Sequence, residues 1–308
     1  MMQVDAVFEG GGVRGIAFIG AIEQIEAAGY MWRHIAGTSA GSIFAALLAS
    51  GYTSNELKDL MYGLDYTSLL GRNWLHHIPI AGQAIPMLLY SGIYSNTVLE
   101  QYMTTWLHQK NVHTFADLPQ GKLKIIASDV SSGNLIVFPD DLAKYGFTPS
   151  DFPIATAVRM STNIPFFFRP YRWQTPTNVK PYYVVDGALL SNFPIWIFDV
   201  EDTPICPTFG FRLSEKKIFT PHHPIEGPFS LFSAMFKTML QAHDQRHVDK
   251  HGESRTMFIR TGHVTPTDFD LSEEDRVYLY EEGKIAAQQF LKRWDFEEYK
   301  QKFRSNIV

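Results

Sequence analysis

A chain of 308 residues that is 45% hydrophobic and carries a net charge of −5 can bury a large core, in one large domain or two modest ones. The negative balance argues against nucleic acid as a main partner. The lone cysteine, Cys206, excludes an intramolecular disulfide and points to a reducing compartment. The first residues offer neither a basic nor an apolar leader region, so a cytoplasmic location is expected.

Residues 4–8 have the composition of a short buried strand, and the loop Glu9-Gly10-Gly11-Gly12-Val13-Arg14-Gly15 follows. Ile16, Ile19, Ile22 and Ile25 then recur at helical spacing, with Gly29 where a helix end favours a left-handed residue. A second strand over 31–36 runs into the turn Gly37-Thr38-Ser39-Ala40-Gly41, and a second helix covers 44–49. Strand–helix–strand–helix with short connections predicts a parallel sheet wrapped by helices.

Further helices are expected over 54–63 and 96–109, with Ser54 and Asn96 as caps. Between them, residues 73–99 form a run of 27 without Asp, Glu, Lys or Arg. That length would span a bilayer, but Pro79, Gly82, Pro86 and Gly92 make a spanning helix improbable. A buried helix and turn, or a segment lying over a site or on a membrane surface, both remain open. Strands follow over 123–130 and 134–138, a helix over 154–161, and strands over 182–185, 208–213 and 257–260. Leu271-Ser272-Glu273-Glu274-Asp275 opens a last helix that reaches about Trp294. One α/β domain is expected, its core over about 4–200 and a helical carboxyl extension over about 214–308.

Gly37-x-Ser39-x-Gly41 follows a strand and opens a helix, as a nucleophile elbow must, although Thr38 or Ser39 could simply cap the helix. The loop from Gly10 to Gly15 also fits G-x-G-x-x-G, but a dinucleotide site needs an acidic residue after the second strand. None occurs between Ala27 and Asn55, so that reading fails. A cradle for a phosphate or an oxyanion survives, with Arg14 beside it as a positive charge or as a salt-bridge partner.

A serine nucleophile needs a base. Of the eleven histidines, His243, His247 and His251 stand four apart on one expected helix, yet no H-E-x-x-H accompanies them and no metal is expected. Asp186 ends an apolar strand in Val184-Val185-Asp186-Gly187-Ala188, a context that by itself signals only a turn. On residue patterns alone the base stays unassigned.

Gly10-Gly11-Gly12-Val13-Arg14-Gly15, then Gly37-Thr38-Ser39-Ala40-Gly41, then Asp186-Gly187-Ala188 resembles the patatin-like phospholipase family, in that family's order. The stretch from Ala157 through Ser161, Pro165 and Phe168 resembles the segment that precedes the family's aspartate, and Asp268-Phe269-Asp270-Leu271 looks like bacterial members. Ala188 and Met160 depart from the common glycine and alanine, at positions without chemistry. The resemblance implies a three-layer α/β/α sandwich with a mostly parallel central sheet. It also implies a Ser39–Asp186 dyad and an oxyanion hole from the N–H groups of Gly10, Gly11 and Gly12, chiefly the latter two, with Arg14 nearby. The implied activity is hydrolysis of phospholipid or lysophospholipid acyl esters without a cofactor. The uncharged run and Phe166-Phe167-Phe168 are compatible with an acyl channel or peripheral membrane contact. The alternatives are a soluble carboxylesterase or thioesterase with the same dyad and a non-catalytic lipid-binding protein.

Overall fold

The computed structural model describes residues 2–70, 92–213 and 250–304. The uncharged run up to Ser91, His243, His247 and the side chain of His251 lie outside the described residues. In chain order the elements are β1 (Met2–Phe8), α1 (Ile16–Ala27), β2 (Tyr30–Thr38), α2 (Ala40–Ala49), α3 (Ser54–Gly63), β3 (Gly92–Tyr94), α4 (Thr97–Gln109), β4 (Leu123–Asp129) and β5 (Asn134–Phe138). They continue with α5 (Ile154–Ser161), β6 (Phe166–Phe168), β7 (Tyr171–Thr175), β8 (Asn178–Asp186), β9 (Thr208–Arg212), α6 (Lys250–Ser254), β10 (Thr256–Phe258), α7 (Glu273–Arg293) and α8 (Phe296–Arg304).

Among the described residues, eight strands form one sheet in the order β10-β9-β1-β2-β4-β8-β7, with β5 also on β4. Neighbours from β10 to β4 run parallel, whereas β5 and β8 meet β4 antiparallel and β7 meets β8 antiparallel. The α/β architecture with a largely parallel sheet is as expected. Among the elements that went unread are α8, β7, whose residues alternate between exposed and buried in a half-covered strand's pattern, and β3 and β6, which pair with each other in a separate two-stranded sheet.

The isoleucine stripe of α1 is wholly buried against the sheet. There Phe8, Phe18, Phe44 and Phe211 interlock, with Phe8 stacked on Phe211 at 4.4 Å and Phe18 edge-on to Phe8 and Phe44 at 5.2 and 5.4 Å. Because side chains alternate along a strand, Val7 and Ala36 face the other way and pack on Phe193 and Ile195. Caps differ in detail from expectation. Thr53, not Ser54, closes the capping box of α3 with Glu56, while the Ser54 hydroxyl donates to Glu26. Ser272 and Asp275 cap α7 as expected.

The helix α7 lies on α1 at near-backbone contact. A β-carbon on Gly20 would overlap the Tyr280 carbonyl, and one on Gly283 would overlap the Ala17 carbonyl. Glycine weakens a helix interior, so these two are kept for the close crossing they allow. Gly20→Ala or Gly283→Ala is expected to lower stability by about 1–3 kcal/mol, read as a drop in the urea midpoint at unchanged m-value.

Candidate active site

The strand register explains how residues far apart in the chain meet. β5 holds one edge of β4 over Ile125–Asp129, leaving β2 and β8 to share the other. β2 pairs along that edge as far as Ile126, opposite Thr38, and β8 takes over at Ala127, opposite Asp186. The first runs parallel to β4 and the second antiparallel, so their carboxyl ends meet head to head. Ser39 follows the last residue of β2, and Asp186 is the last residue of β8. Ser39 Oγ donates a 2.6 Å hydrogen bond to Asp186 Oδ2.

The turn at Ser39 is strained. Its φ of 52° and ψ of −129° lie outside the regions a side-chain-bearing residue prefers. The conformation is held by tight packing around it. A β-carbon on Gly37 would overlap the Gly41 carbonyl, and one on Gly41 would overlap the Phe8 carbonyl. It is also held by Ser161, a fully buried residue that sequence reasoning placed at the end of a helix and in a family-like segment, without a role. Ser161 Oγ accepts from the Ser39 N–H at 2.9 Å and donates to the Ile126 carbonyl at 2.6 Å. A single hydroxyl thereby ties the turn to the strand on which Asp186 is also registered. Asn163 adds a second tie, its carbonyl accepting from the Asp186 N–H at 2.8 Å. Its side chain is met by Asn96, which stands at the start of α4 but spends its amide on Thr162 and Asn163 instead of capping the helix.

Asp186 is 1% exposed and Ser39 5%. Among the described residues the carboxylate accepts from the Ser39 hydroxyl and, at 2.9 Å, from the Ala188 N–H. Burial dominates these two bonds and pushes the carboxyl up to about 7. No histidine among the described residues touches either side chain: His34 pairs with Asp5, and His263 with Asp275.

The glycine loop passes beside this pair. The Gly10 N–H is committed to the Asn192 carbonyl at 3.1 Å, and the Val13 N–H to the Pro266 carbonyl at 3.1 Å. The N–H groups of Gly11 and Gly12 have no acceptor among the described residues. Gly12 takes a φ of +58°, and a β-carbon there would overlap Pro266. Arg14 turns its Nε to the Gly11 carbonyl at 3.1 Å, and burial lowers the guanidinium's pKa while Glu9 and Asp268 oppose that fall. Glu9 anchors the loop from beneath, its buried carboxylate receiving the Leu213 N–H, Arg212 and Asn192. Of the expected residues, the fold therefore joins Ser39 to Asp186 directly. It leaves Gly11 and Gly12 as open donors, occupies the donor of Gly10 and gives Arg14 to the loop's own backbone. Glu9, Ser161 and Asn192 went unassigned because their partners lie 122–204 residues away, beyond any local spacing signal.

A carboxyl raised by burial makes stability depend on pH in a definite direction. Between its unfolded value near 3.8 and its folded value near 7, the native state holds a proton that the unfolded chain has lost. This group's contribution therefore falls as pH rises through that window. Asp186→Asn is expected to raise the melting temperature more at pH 8 than at pH 5, by differential scanning fluorimetry.

Residues 6–199 match the family described as patatin-like phospholipase. The chain is 42% identical over 296 residues to YqhO of Bacillus subtilis (strain 168), an uncharacterized protein, spanning 96% of this chain and 100% of that one. It is 24% identical over 192 residues, 61% of each chain, to the probable lipid hydrolase 463L of Invertebrate iridescent virus 6. Among solved structures the fold resembles VipD from Legionella pneumophila, with a TM-score of 0.56 at 19% identity over 95% of this chain and 67% of that one. It also resembles the type III effector ExoU, with a TM-score of 0.52 at 15% identity over 97% of this chain and 53% of that one. This chain thus spans about half of ExoU. The chain belongs to the patatin-like phospholipase family.

Proposed function

We propose that the protein is a serine acyl hydrolase that cleaves lipid acyl esters through Ser39 and Asp186. The observation that carries this reading is the 2.6 Å bond from the Ser39 hydroxyl to a carboxylate buried enough to titrate near neutrality. An aspartate at its ordinary pKa is too weak a base to take a serine proton, and raising it toward the working pH improves the match. Membership of the family and likeness to a probable lipid hydrolase support a lipid substrate.

Ser39 Oγ attacks the ester carbonyl as its proton passes to Asp186 Oδ2. The carbonyl oxygen, now negative, is met by the N–H groups of Gly11 and Gly12, and Arg14 holds the loop's backbone rather than donating to the oxygen. Collapse expels the alcohol, which takes the proton from Asp186 and leaves an acyl-Ser39 ester. Water then attacks that ester, Asp186 takes its proton, and return of the proton to Ser39 releases the free acid. Donors of this kind are set in place before charge develops, and loss of one typically costs about 10²–10³-fold.

The lipid is met at a bilayer or micelle surface, and no helix among the described residues is long and apolar enough to cross a membrane. A soluble-ester hydrolase with the same dyad would show no rise in rate when its substrate passes into micelles. A lipid-binding protein without catalysis would leave Ser39 unlabelled by a fluorophosphonate.

Ser39→Ala and Asp186→Asn are each expected to abolish hydrolysis of a micellar phospholipid, whereas replacing every histidine of the carboxyl third leaves it largely intact. An indispensable histidine with a dispensable Asp186 overturns the dyad. Because Asp186 works as its anion, kcat/KM is expected to rise with pH, tenfold per unit below about 7, and to level above it. A profile already flat from pH 5 contradicts Asp186 as the base.

A further inference from the structure

We propose that the segment from Val264 to Leu271 positions the oxyanion donors, with Pro266, Asp268 and Phe269 acting on the catalytic step through the glycine loop. The segment lies outside residues 6–199, which match the family. The inference rests on the reading of Ser39 as the nucleophile and of Gly11 and Gly12 as donors.

A peptide group is rigid and planar, so a hydrogen bond to one of its atoms orients the whole plane. The Gly11 and Gly12 N–H groups belong to two consecutive planes. The plane before them is clamped where the Gly10 N–H meets the Asn192 carbonyl, and the plane after them where the Val13 N–H meets the Pro266 carbonyl, both at 3.1 Å. The Gly11–Gly12 plane itself is gripped from its carbonyl side, by Arg14 Nε at 3.1 Å. In a trans peptide the C=O and N–H point opposite ways, so that grip leaves the Gly12 N–H facing away from Arg14. Pro266 also fills the space that a β-carbon on Gly12 would need. Two donors without an acceptor among the described residues are thus held in fixed directions, as stabilisation of a developing charge requires.

Of these clamps Pro266 alone belongs to the carboxyl third, and its place is set by contacts of its own segment. Val264 and Leu271 are buried at either end. Between them the Asp268 carboxylate receives the Thr265 N–H at 2.7 Å and the Thr265 hydroxyl at 2.6 Å. The Asp268 N–H returns to the Thr265 carbonyl at 3.3 Å, closing the turn that carries Pro266. Phe269 then stacks on Phe167 of β6, with ring centroids 5.5 Å apart and planes 7° from parallel. β6 begins at Phe166, three residues after Asn163, whose carbonyl holds the Asp186 N–H. One ring pair therefore connects the segment that clamps the donors to the segment that anchors the base.

The test measures kcat and KM for p-nitrophenyl hexanoate and for its thionoester, in which C=S replaces the carbonyl. It uses the full chain and Phe269→Ala, Phe269→Tyr, Asp268→Ala and Asp268→Asn, each checked for folding by circular dichroism. Sulfur is a weak hydrogen-bond acceptor, so the ester reports the donors and the thionoester reports attack by Ser39 with little help from them. Phe269→Ala and Asp268→Ala are expected to lower kcat for the ester about 10–100-fold at little-changed KM, because misdirected donors are missed only in the transition state. The thionoester falls less, so the ester-to-thionoester ratio of kcat/KM drops about tenfold. Phe269→Tyr keeps a stacked ring, and Asp268→Asn keeps an acceptor while removing the charge that Arg14 feels, so both stay near the parental ratio. The rate of Ser39 labelling by a fluorophosphonate, whose P=O oxygen meets the same donors, follows the ester. Folded alanine variants with the parental kcat overturn the proposal, as does an equal fall on ester and thionoester. A ratio lost in Asp268→Asn as fully as in Asp268→Ala overturns the role given to the turn. Should Phe269→Ala not fold, the Asp268 variants decide, since that side chain is exposed. An unmutated protein that cleaves neither compound and leaves Ser39 unlabelled overturns the nucleophile reading itself.

Discussion

One hydrogen bond, between the Ser39 hydroxyl and the buried Asp186 carboxylate, governs the rest of this structure. A carboxylate in an apolar surround is costly, and the two donors found here, the serine hydroxyl and the Ala188 N–H, offset only part of that cost. Its carboxyl is therefore held well above the ordinary carboxylate range, near neutrality. The geometry that permits this is a property of the sheet. Two strands that arrive from opposite directions end on adjacent residues of β4, so the two side chains are forced together without any loop having to find the right conformation.

Around that bond the polar and apolar environments are segregated. On the side of β9, Glu9 is buried beneath the glycine loop, where Arg212, Asn192 and the Leu213 N–H satisfy it. Arg14 feels the carboxylates of Glu9 and Asp268 and donates to the loop's own Gly11 carbonyl. These charges fix the loop so that two N–H groups stay open. On the side of α2 and α3 the lining is mainly apolar, with the buried Tyr66 hydroxyl among it.

Much of the fold was legible because local periodicity was strong. The isoleucine stripe marked α1, the segment Ile154–Ser161 was read as a helix that ends before Pro165, and the capping box at Ser272 marked α7. Shorter elements were lost. β6 has three residues, too few for a period to register, and its middle ring packs on Tyr94 and Phe269 from distant segments. Asn96 was read as a helix cap because of its type and place. Its amide instead serves Thr162 and Asn163, a competition that only tertiary contacts reveal.

By itself the sequence determined the tight turn and the glycine loop, since the glycines at 12, 37 and 41 record close backbone approaches that a β-carbon would block. Such constraints act over a few residues and leave a local trace. The partner of Ser39 left no such trace, because Asp186 is 147 residues away and an Asp-Gly pair after a strand is ordinarily a turn. Resemblance named it, but its pKa, its tie through Ser161 and the loss of Gly10 as a donor were decided by the tertiary structure. The reason is physical: desolvation and hydrogen-bond occupancy depend on what surrounds a group in space, and the chain order carries that only after it has folded.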